Sequence, residues 1–281
     1  MKRILLTGHT GFVGRNILPY LQERYDVLYP TRHELNLLKP DDVEQYVRDH
    51  SVDVIFHSAN PNPVKNQLDQ NDRFFIDSLR VFANIFRCKD FCEKIVYLGS
   101  GAEYDKRQDI KEITEDEFGR SIPEDEYGFS KYIMNEMAAG SSNVYNMRLF
   151  ACFGPTDHES KFITHAINCC MKDEPITIRQ DCWFDYLHID DFAVMSGWFI
   201  DNIPTYHDYN ISSGNGVTLS QIAEYIKNRF QSSQQVVILN EGMNKEYTAD
   251  NKRLLTEMHF QPMSVFCGID RQIEWQRRND S

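Results

Sequence analysis

The stretch RILLTGHTGFVG, residues 3–14, determines how the chain begins to fold. It pairs a short apolar strand with three glycines, Gly8, Gly11 and Gly14, and these open an amphipathic helix. Glycines at this spacing permit a sharp turn, and they let backbone N–H groups approach a pyrophosphate at the positive N-terminus of a helix. A strand before and a helix after are the context that a dinucleotide-binding loop requires. The pattern therefore predicts a nucleotide cofactor, with a purely structural turn as the alternative.

The alternation of apolar strand and amphipathic helix continues from this loop to about residue 150. The further predicted strands cover residues 26–30, 53–59, 94–100 and 143–149. Strands that alternate with helices are typical of a parallel sheet with helices on both faces. The sequence predicts an α/β fold, a doubly wound parallel sheet of the Rossmann type.

The pattern is less regular after residue 150 and predicts a smaller α/β domain interleaved with the end of the first. Its predicted elements are a helix near 160–172, strands at 176–178 and 235–239, a helix from Thr218 and a helix near 264–278. We assign the dinucleotide-binding domain to residues 1–150 with parts of 185–215. The substrate-binding domain is then residues 151–184 and 216–281.

Composition and charge narrow the classes of function. The chain has 281 residues, 41% of them hydrophobic and 26% charged, as expected for a globular protein with a full core. Its net charge of −12 argues against nucleic acid or an anionic membrane as a partner. No apolar run is long enough for a signal peptide or a membrane span, so we expect a cytoplasmic protein. Neither the seven cysteines nor the histidines show metal-ligand spacing, and we expect no metal.

The residues after the second predicted strand bear on the choice of cofactor. An acid there would hold the ribose hydroxyls of NAD, whereas a guanidinium suits the 2′-phosphate of NADP. The sequence has Arg32 at this position and Glu34 close behind it. NADP(H) is favoured, NAD(H) stays possible, and Arg32 as a plain exposed loop residue is the third interpretation.

The segment YGFSK, residues 127–131, places Tyr127 and Lys131 one helical turn apart. Together with TGHTGFVG, IFHSAN (55–60), YLGSGAEY (97–104) and DYLHIDDFA (185–193), it resembles the extended short-chain dehydrogenase/reductases. Within them it is similar to the NAD-dependent epimerase/dehydratase family of sugar-nucleotide enzymes. TRHELNLL (31–38) looks most like GDP-fucose synthase, with 4-ketosugar-nucleotide reductases close behind.

The resemblance implies a role for each matching residue. Tyr127 would be the general acid/base, its pKa lowered by the Lys131 ammonium and by an oxidised nicotinamide, and Ser100 would hydrogen-bond the substrate oxygen. Lys131 would also contact the cofactor. The other implied cofactor-binding residues are Thr7, Gly8, Thr10, Gly11, Phe12, Val13, Gly14, Arg32, Asn36, Leu37, Ser58 and Ala59.

Departures from the family pattern narrow the chemistry. Gly101 and Ala102 stand where dehydratases carry an Asp-Glu pair, and Ala102 also replaces the cysteine that GDP-fucose synthase uses for epimerisation. Lys161 falls near the histidine used with that cysteine. Hydride transfer needs none of these groups, so we expect NADP(H)-dependent reduction of a 4-keto (6-deoxy) sugar nucleotide.

Substrate recognition is expected from residues at the other end of the site. The residues implied to bind the substrate are Ala102, Glu103, Lys161, Arg179 and Lys245. The family's usual asparagine and arginine at this end are absent, and Lys245 replaces a further arginine. The family resemblance also implies a homodimer formed through the helix FFIDSLRVFANIF (74–86) and the Tyr127 helix.

Three other functions stay open at this point, and one of them is the reduction of a small carbonyl compound that carries no nucleotide. An NAD-dependent 4-epimerase of a nucleotide sugar would use the same three residues, Ser100, Tyr127 and Lys131. A cofactor-binding sensor or partner subunit without turnover would keep the fold but would not depend on Tyr127.

Overall fold

The computed structural model describes residues 1–61 and 73–279. The chain divides into two compact units. Unit 1 draws on Met1–Asp105, Phe118–Leu149 and Ala193–Tyr209. Unit 2 draws on Lys106–Glu117, Phe150–Phe192 and Asn210–Ser281. The division of labour predicted above, cofactor in one domain and substrate in the other, stays a prediction.

Strands and helices alternate along the described residues. The strands are β1 (Arg3–Thr7), β2 (Asp26–Leu28), β3 (Val54–His57), β4 (Lys94–Ser100), β5 (Ile110–Ile113), β6 (Val144–Leu149), β7 (Ala151–Phe153), β8 (Ile176–Asp181), β9 (Trp183–His188), β10 (Asp208–Ile211), β11 (Gly216–Thr218), β12 (Val236–Met243) and β13 (Tyr247–Ala249). The helices are α1 (Phe12–Gln22), α2 (Pro40–Asp49), α3 (Phe74–Phe86), α4 (Glu126–Ala138), α5 (Phe162–Met171), α6 (Ile189–Asp201), α7 (Leu219–Phe230), α8 (Lys252–Met258) and α9 (Val265–Asn279).

The central sheet of unit 1 has six strands in the order β10-β6-β4-β3-β1-β2. β1 runs parallel to β2 and to β3, and β4 runs parallel to β3 and to β6. The register pairs Leu5 with Ile55, and Ile55 with Ile95, across three neighbouring strands. The predicted parallel α/β sheet is confirmed.

Both faces of this sheet are buried, which explains its continuous apolar strands. In β1, the consecutive side chains of Ile4, Leu5 and Leu6 are all fully buried. Side chains alternate between the two faces of a strand, so both faces must be covered. Leu5 belongs to a cluster that also includes residues of α2, α3 and α4. On α1, the buried residues include Ile17 and Leu21, as its apolar stripe predicts.

Unit 2 has its own sheets and its own core. One sheet has the strand order β11-β9-β13-β5, with β7 paired to β9, and β12 pairs with β8 in parallel. Its core joins side chains of α5, α7 and α9 to residues such as Phe153, Ile178 and Tyr186. No helix among the described residues is both long enough and apolar enough to cross a membrane.

Candidate active site

The glycine loop between β1 and α1 forms a tight turn. Gly8 has a φ of +78°, and the Gly11 N–H donates to its carbonyl oxygen over 3.1 Å. A Cβ at Gly8 would lie 2.6 Å from Ala59 Cα, so only glycine lets the end of β3 pack against the loop. Gly11 is the N-cap residue of α1; no side chain in the described part of the chain caps that end, and the first turn of α1 carries no acid. The N–H groups that begin α1 are thus available to an anion.

Hydrogen bonds join the residues that follow β3 to the end of β1, beside this loop. Ser58 Oγ donates to the carbonyl oxygen of Thr7 over 2.7 Å, and the Ala59 N–H donates to Thr7 Oγ1 over 3.4 Å. Thr7 Oγ1 also shares a 2.7 Å hydrogen bond with His57 Nδ1. Burial, and then the charge of Lys131, lower the pKa of His57 to about 3. His57 is therefore neutral at physiological pH.

The loop residues fit a dinucleotide. The structure brings Thr7, Gly8, Ser58 and Ala59 together at the carboxyl ends of β1 and β3, where parallel sheets bind ligands. The uncapped start of α1 supplies donors for a pyrophosphate, and a nicotinamide dinucleotide bound there would provide redox chemistry. Thr10, Phe12 and Val13 lie in the same loop and first turn. Their roles as cofactor ligands stay predictions.

The turn after β2 contains Arg32 and Glu34, the two residues considered above for the ribose end of a cofactor. The Glu34 carboxylate accepts hydrogen bonds from the Thr31 N–H and hydroxyl, at 2.7 and 2.9 Å. These bonds lower the pKa of Glu34. Arg32 is exposed, and no described residue forms a hydrogen bond or an ion pair with it. Farther along, Asn36 Oδ1 accepts from the Leu38 N–H over 3.1 Å.

Ser100 ends β4 and begins a single 3₁₀ turn, Gly101–Tyr104. The Ser100 hydroxyl oxygen accepts from the Ala102 N–H over 3.2 Å. In return, the Glu103 carboxylate accepts from the Ser100 N–H over 2.9 Å, which completes a capping box. Ser100 is therefore fixed at both its backbone and its side chain.

Helix α4 brings Tyr127 to Ser100. Asp125 caps the helix by accepting from the Gly128 N–H over 3.0 Å. A Cβ at Gly128 would lie 2.7 Å from the carbonyl oxygen of Ala102, so this glycine lets α4 approach the 3₁₀ turn closely. The side chains of Ser100 and Tyr127 are hydrogen-bonded to each other. Ser100 and Tyr127, which are predicted from the sequence to act on the same substrate oxygen, thus lie next to each other.

The pKa of Tyr127 is raised in the structure, whereas a lowered pKa is expected from the sequence. Burial raises the pKa of Tyr127; the hydrogen bond with Ser100 opposes that effect, and the charges of Glu103 and Asp125 add to it. Lys131 Nζ donates to the carbonyl oxygen of Leu98 over 2.6 Å. Burial lowers the pKa of Lys131 to about 8. The tyrosine consequently holds its proton at neutral pH, as a proton donor must.

Glu103 does not lie where substrate binding would require it. Its side chain is fully buried and forms an ion pair with Arg148, Nε to Oε2 at 2.8 Å. Its carboxylate also accepts from the amide of Asn146. The prediction that Glu103 contacts substrate is corrected, because the side chain has no solvent exposure and its carboxylate accepts from Ser100, Asn146 and Arg148. Ala102, beside it, is fully buried as well.

Arg148 is the residue of this region that the sequence interpretation missed. Its guanidinium is fully buried on β6, and it donates to Glu103, to the Tyr104 hydroxyl over 2.7 Å and to Asp208 over 2.5 Å. The signal that could have identified it is a charged residue inside the apolar strand NVYNMRL. A buried guanidinium requires a buried acid.

The remaining predicted substrate residues belong to unit 2, and all three are exposed. Lys161 is the N-cap residue of α5. Burial raises the pKa of the Asp157 carboxyl to about 7, while a hydrogen bond from the His158 N–H and the charge of Lys161 oppose this effect. Lys245 Nζ donates to the carbonyl oxygen of Arg107. Arg179 lies on β8 at a cavity of about 510 Å³.

Apolar and polar side chains together line the cavity that contains Arg179. The lining residues are Phe162, Thr177, Ile178, Arg179, Gln180, Cys182, Phe184, Leu219, Asn240 and Asn244. Its volume is within the range of small-molecule sites, and its walls mix aromatic faces with hydrogen-bonding groups. Across residues 1–61 and 73–279, no group of three or more His, Cys, Asp or Glu side chains could hold a metal ion.

Comparison with known proteins agrees with this geometry. The family model described as NAD dependent epimerase/dehydratase family matches residues 4–212. ADP-L-glycero-D-manno-heptose-6-epimerase of Brachyspira hyodysenteriae is 25% identical, and the alignment covers 96% of each chain. GDP-L-fucose synthase of Escherichia coli is 22% identical over 98% of this chain and 96% of the relative.

A solved structure shows the same fold at lower identity. GDP-mannoheptose C4 reductase from Campylobacter jejuni, with NADP bound, superposes with a TM-score of 0.84 at 18% identity, over 98% of each chain. The family predicted from the motifs is confirmed. Because the family match extends over most of the sequence, the chain belongs to the NAD dependent epimerase/dehydratase family and is an NAD(P)-dependent enzyme of nucleotide-sugar metabolism.

Proposed function

We propose that the enzyme is an NADP(H)-dependent reductase of a 4-keto (6-deoxy) sugar nucleotide, with Tyr127 as the general acid. The observation that carries the proposal is the hydrogen-bonded pair of Ser100 and Tyr127, with Lys131 one turn along the same helix. A reduced nicotinamide, when bound, supplies the hydride that reaches the carbonyl carbon.

The chain's own residues act on the carbonyl oxygen. The Ser100 hydroxyl, held at the end of β4, donates to this oxygen and aligns it with Tyr127. Tyr127 then gives its proton to the oxygen as negative charge develops there, and the C=O group becomes CH–OH. The Lys131 ammonium stabilises the phenolate that remains until the proton is replaced from solvent.

Two positions beside Ser100 support simple reduction over other reactions of the family. Gly101 and Ala102 carry no titratable group. Removal of a proton from a carbon next to the ketone needs a base, and neither residue is one. The proposal therefore assigns one reaction at one carbon, with no dehydration and no epimerisation at neighbouring carbons.

The guanidinium of Arg32, which pairs with no residue in 1–61 or 73–279, supports NADP(H) as the cofactor. The carboxylate of Glu34, the alternative ligand for unmodified ribose, is already occupied by Thr31. A guanidinium without a protein partner suits a 2′-phosphate. Arg179, whose guanidinium suits a phosphate group, is proposed as a substrate contact of unit 2, and it lines a cavity there with Asn240 and Asn244.

A homodimer is also part of the proposal. On α3 of unit 1, Ile76 is 49% exposed, and on α4 Met137 is 38% exposed. Phe75 of α3 stacks on Phe129 of α4 at 5.4 Å between ring centroids, which joins the two helices. Apolar side chains on an outer helix pair favour association with a second copy.

The test is consumption of NADPH, followed at 340 nm, with 4-keto-6-deoxy sugars carried on GDP, dTDP, UDP, CDP or ADP. The proposal expects one series to be reduced, with a product heavier by two hydrogens, and Tyr127→Phe to lower kcat by about 10²- to 10⁴-fold. Interconversion of two 4-hydroxy sugars without net NADPH consumption would replace the proposal with a 4-epimerase. NADPH binding that persists with no turnover of any series would favour the sensor.

A further inference from the structure

A buried polar network lies directly behind Ser100 in unit 1. We call it the Glu103 network, and it consists of Glu103, Asn135, Asn146, Arg148 and Asp208. Glu103 and Arg148 have no solvent exposure, and Asn135 and Asn146 are buried as well. Burying two charges is costly unless each is paired and fully hydrogen-bonded. Such a network beside reactive residues invites a functional explanation.

The Glu103 carboxylate is surrounded by donors. It accepts from the Ser100 N–H at 2.9 Å, from Arg148 Nε at 2.8 Å, and from Asn146 Nδ2 at 3.1 and 3.3 Å. A protonated carboxyl would need an acceptor for its own hydrogen, and these contacts are all donors. Burial raises the pKa of Glu103, while the charge of Arg148 opposes this. The donor set favours the ionised form.

The network touches both elements that carry the reactive side chains. Through Glu103 it binds the backbone of Ser100 at the end of β4. Asn146 Nδ2 bridges Glu103 to Asn135 Oδ1, the latter contact at 3.0 Å, and Asn135 lies on α4 one turn after Lys131. His207 Nε2 also lies 2.9 Å from Asn135 Oδ1. One connected set of hydrogen bonds thus joins the Ser100 turn to the Tyr127 helix.

The sequence accommodates this network at Gly99. A Cβ at Gly99 would collide with Asn146 Oδ1 and with Glu103 Oε1. The carboxylate therefore packs against bare backbone immediately before Ser100, where a side chain would exclude it. The Glu103 carboxylate can occupy this position only because Gly99 has no side chain.

We propose that Glu103 is a positioning residue of the active site, whose buried carboxylate fixes the Ser100 backbone and, one amide side chain away from Asn135, places a negative charge beside the helix that carries Lys131. The inference rests on the proposed function for the roles of Ser100 and Lys131. It follows from the contacts above that a change at Glu103 acts on catalysis without any contact between Glu103 and substrate. Burial lowers the pKa of Lys131 and raises that of Tyr127; the charge of Glu103 opposes the first effect and adds to the second.

Two substitutions separate the two effects. Glu103→Gln keeps an oxygen for the Ser100 N–H and removes the charge. Glu103→Asp keeps the charge and withdraws the carboxylate by one methylene from Ser100. Asp208→Asn is the matched control, because Asp208 contacts the same Arg148 guanidinium but not Ser100.

The first readout needs no substrate. Lysine labelled with ¹³C at Cε reports the titration of Lys131 by NMR, with the resonance assigned through Lys131→Arg. We expect Glu103→Gln to lower the pKa of Lys131 by about one unit and Asp208→Asn to leave it unchanged. An identical titration in Glu103→Gln and wild type, or an equal shift in Asp208→Asn, would overturn the electrostatic role.

The second readout is the kinetic split. Glu103→Asp is expected to lower kcat by about 10- to 100-fold, with KM and NADPH affinity unchanged. Full kcat in this variant would overturn the positioning role, and this variant carries the test if Glu103→Gln does not fold. If wild type reduces no 4-ketosugar nucleotide while Lys131 shifts as expected, the proposed function fails and the electrostatic role of Glu103 stands.

Discussion

Lys131 Nζ donates a 2.6 Å hydrogen bond to the carbonyl oxygen of Leu98, on the same strand as Ser100 and just before it. The contact joins α4 to β4 at the point where both present their reactive side chains. It also holds an ammonium group in a half-buried position, where burial lowers its pKa to about 8. The cation that the mechanism needs is thus kept at a cost to stability.

Lys131→Met is expected to raise Tm at pH 7 while it abolishes most of the activity. The folded pKa of about 8 lies below the unfolded value of about 10.4, so the burial cost is complete below pH 8. Between those values the unfolded chain holds more protons, and wild-type stability rises with pH. The gap between variant and wild type should therefore close from pH 8 to about 10.4.

Thermal unfolding of both proteins between pH 7 and 10.5 checks this prediction. Lys111→Met, at an exposed lysine of β5, is the matched control for the loss of one positive charge. A Lys131→Met protein that is less stable than wild type at pH 7 would show that the bond to Leu98 outweighs the burial cost.

Gly128→Ala is expected to separate α4 from the Ser100 turn. The added Cβ would meet the Ala102 carbonyl oxygen at 2.7 Å and Pro123 Cβ at 2.9 Å. Overpacking of this kind costs about 1–3 kcal/mol, and kcat should fall because Tyr127 moves from Ser100. Gly140→Ala, where a Cβ meets nothing within 4 Å, should leave both quantities near wild type. Urea unfolding and NADPH turnover measure the two effects, and equal behaviour of both variants would contradict the packing argument.

Two glycines of the first loop distinguish a cofactor site from a structural turn. A Cβ at Gly14 would collide with the Gly8 backbone, whereas a Cβ at Gly11 would meet only the Gly8 carbonyl oxygen at 3.4 Å. Gly14→Ala should therefore lower Tm, and Gly11→Ala should keep it. If a pyrophosphate lies against this loop, Gly11→Ala loses NADPH affinity although it is folded. Calorimetric binding by Gly11→Ala at the wild-type affinity would indicate a structural turn.

Arg32→Ala is expected to weaken NADPH binding about 10- to 100-fold and to leave NADH binding unchanged. The reason is the loss of a guanidinium that no described residue pairs with in the structure. Arg24→Ala, at an arginine that pairs with Glu23, is the control. Calorimetry with both cofactors gives the answer. A preference of the wild type for NADH that is unchanged in Arg32→Ala would favour an NAD-dependent 4-epimerase.

The parts of the fold that the sequence predicts are those set by local pattern. The strand before Gly8 and the helix after it follow from residues adjacent in the chain, and so does the one-turn spacing of Tyr127 and Lys131. The end of β4 at Ser100 is equally local. Periodicity and turn chemistry act over a few residues, so they can be recognised without the partners that each element packs against.

Long-range pairing explains what the sequence interpretation missed. The sequence predicts Glu103 as a substrate contact, because its partner Arg148 lies on another strand and nothing local indicates their 2.8 Å ion pair. Glu115, in an acidic run that is typical of a solvated loop, is buried and accepts from the Asn210 N–H over 2.7 Å. A charge is tolerated inside a fold only where a distant group compensates it. That information is in the tertiary structure.

The most direct test of 4-keto reduction uses NADPH with deuterium at both C4 positions of the nicotinamide ring, because only one of the two hydrogens is transferred as hydride. We expect one deuterium at carbon four of the reduced sugar nucleotide with wild type, and almost none with Tyr127→Phe. Mass spectrometry and NMR of the product locate the label. Absence of deuterium from the product of every 4-ketosugar nucleotide in the panel would rule out hydride transfer from NADPH to carbon four of these substrates.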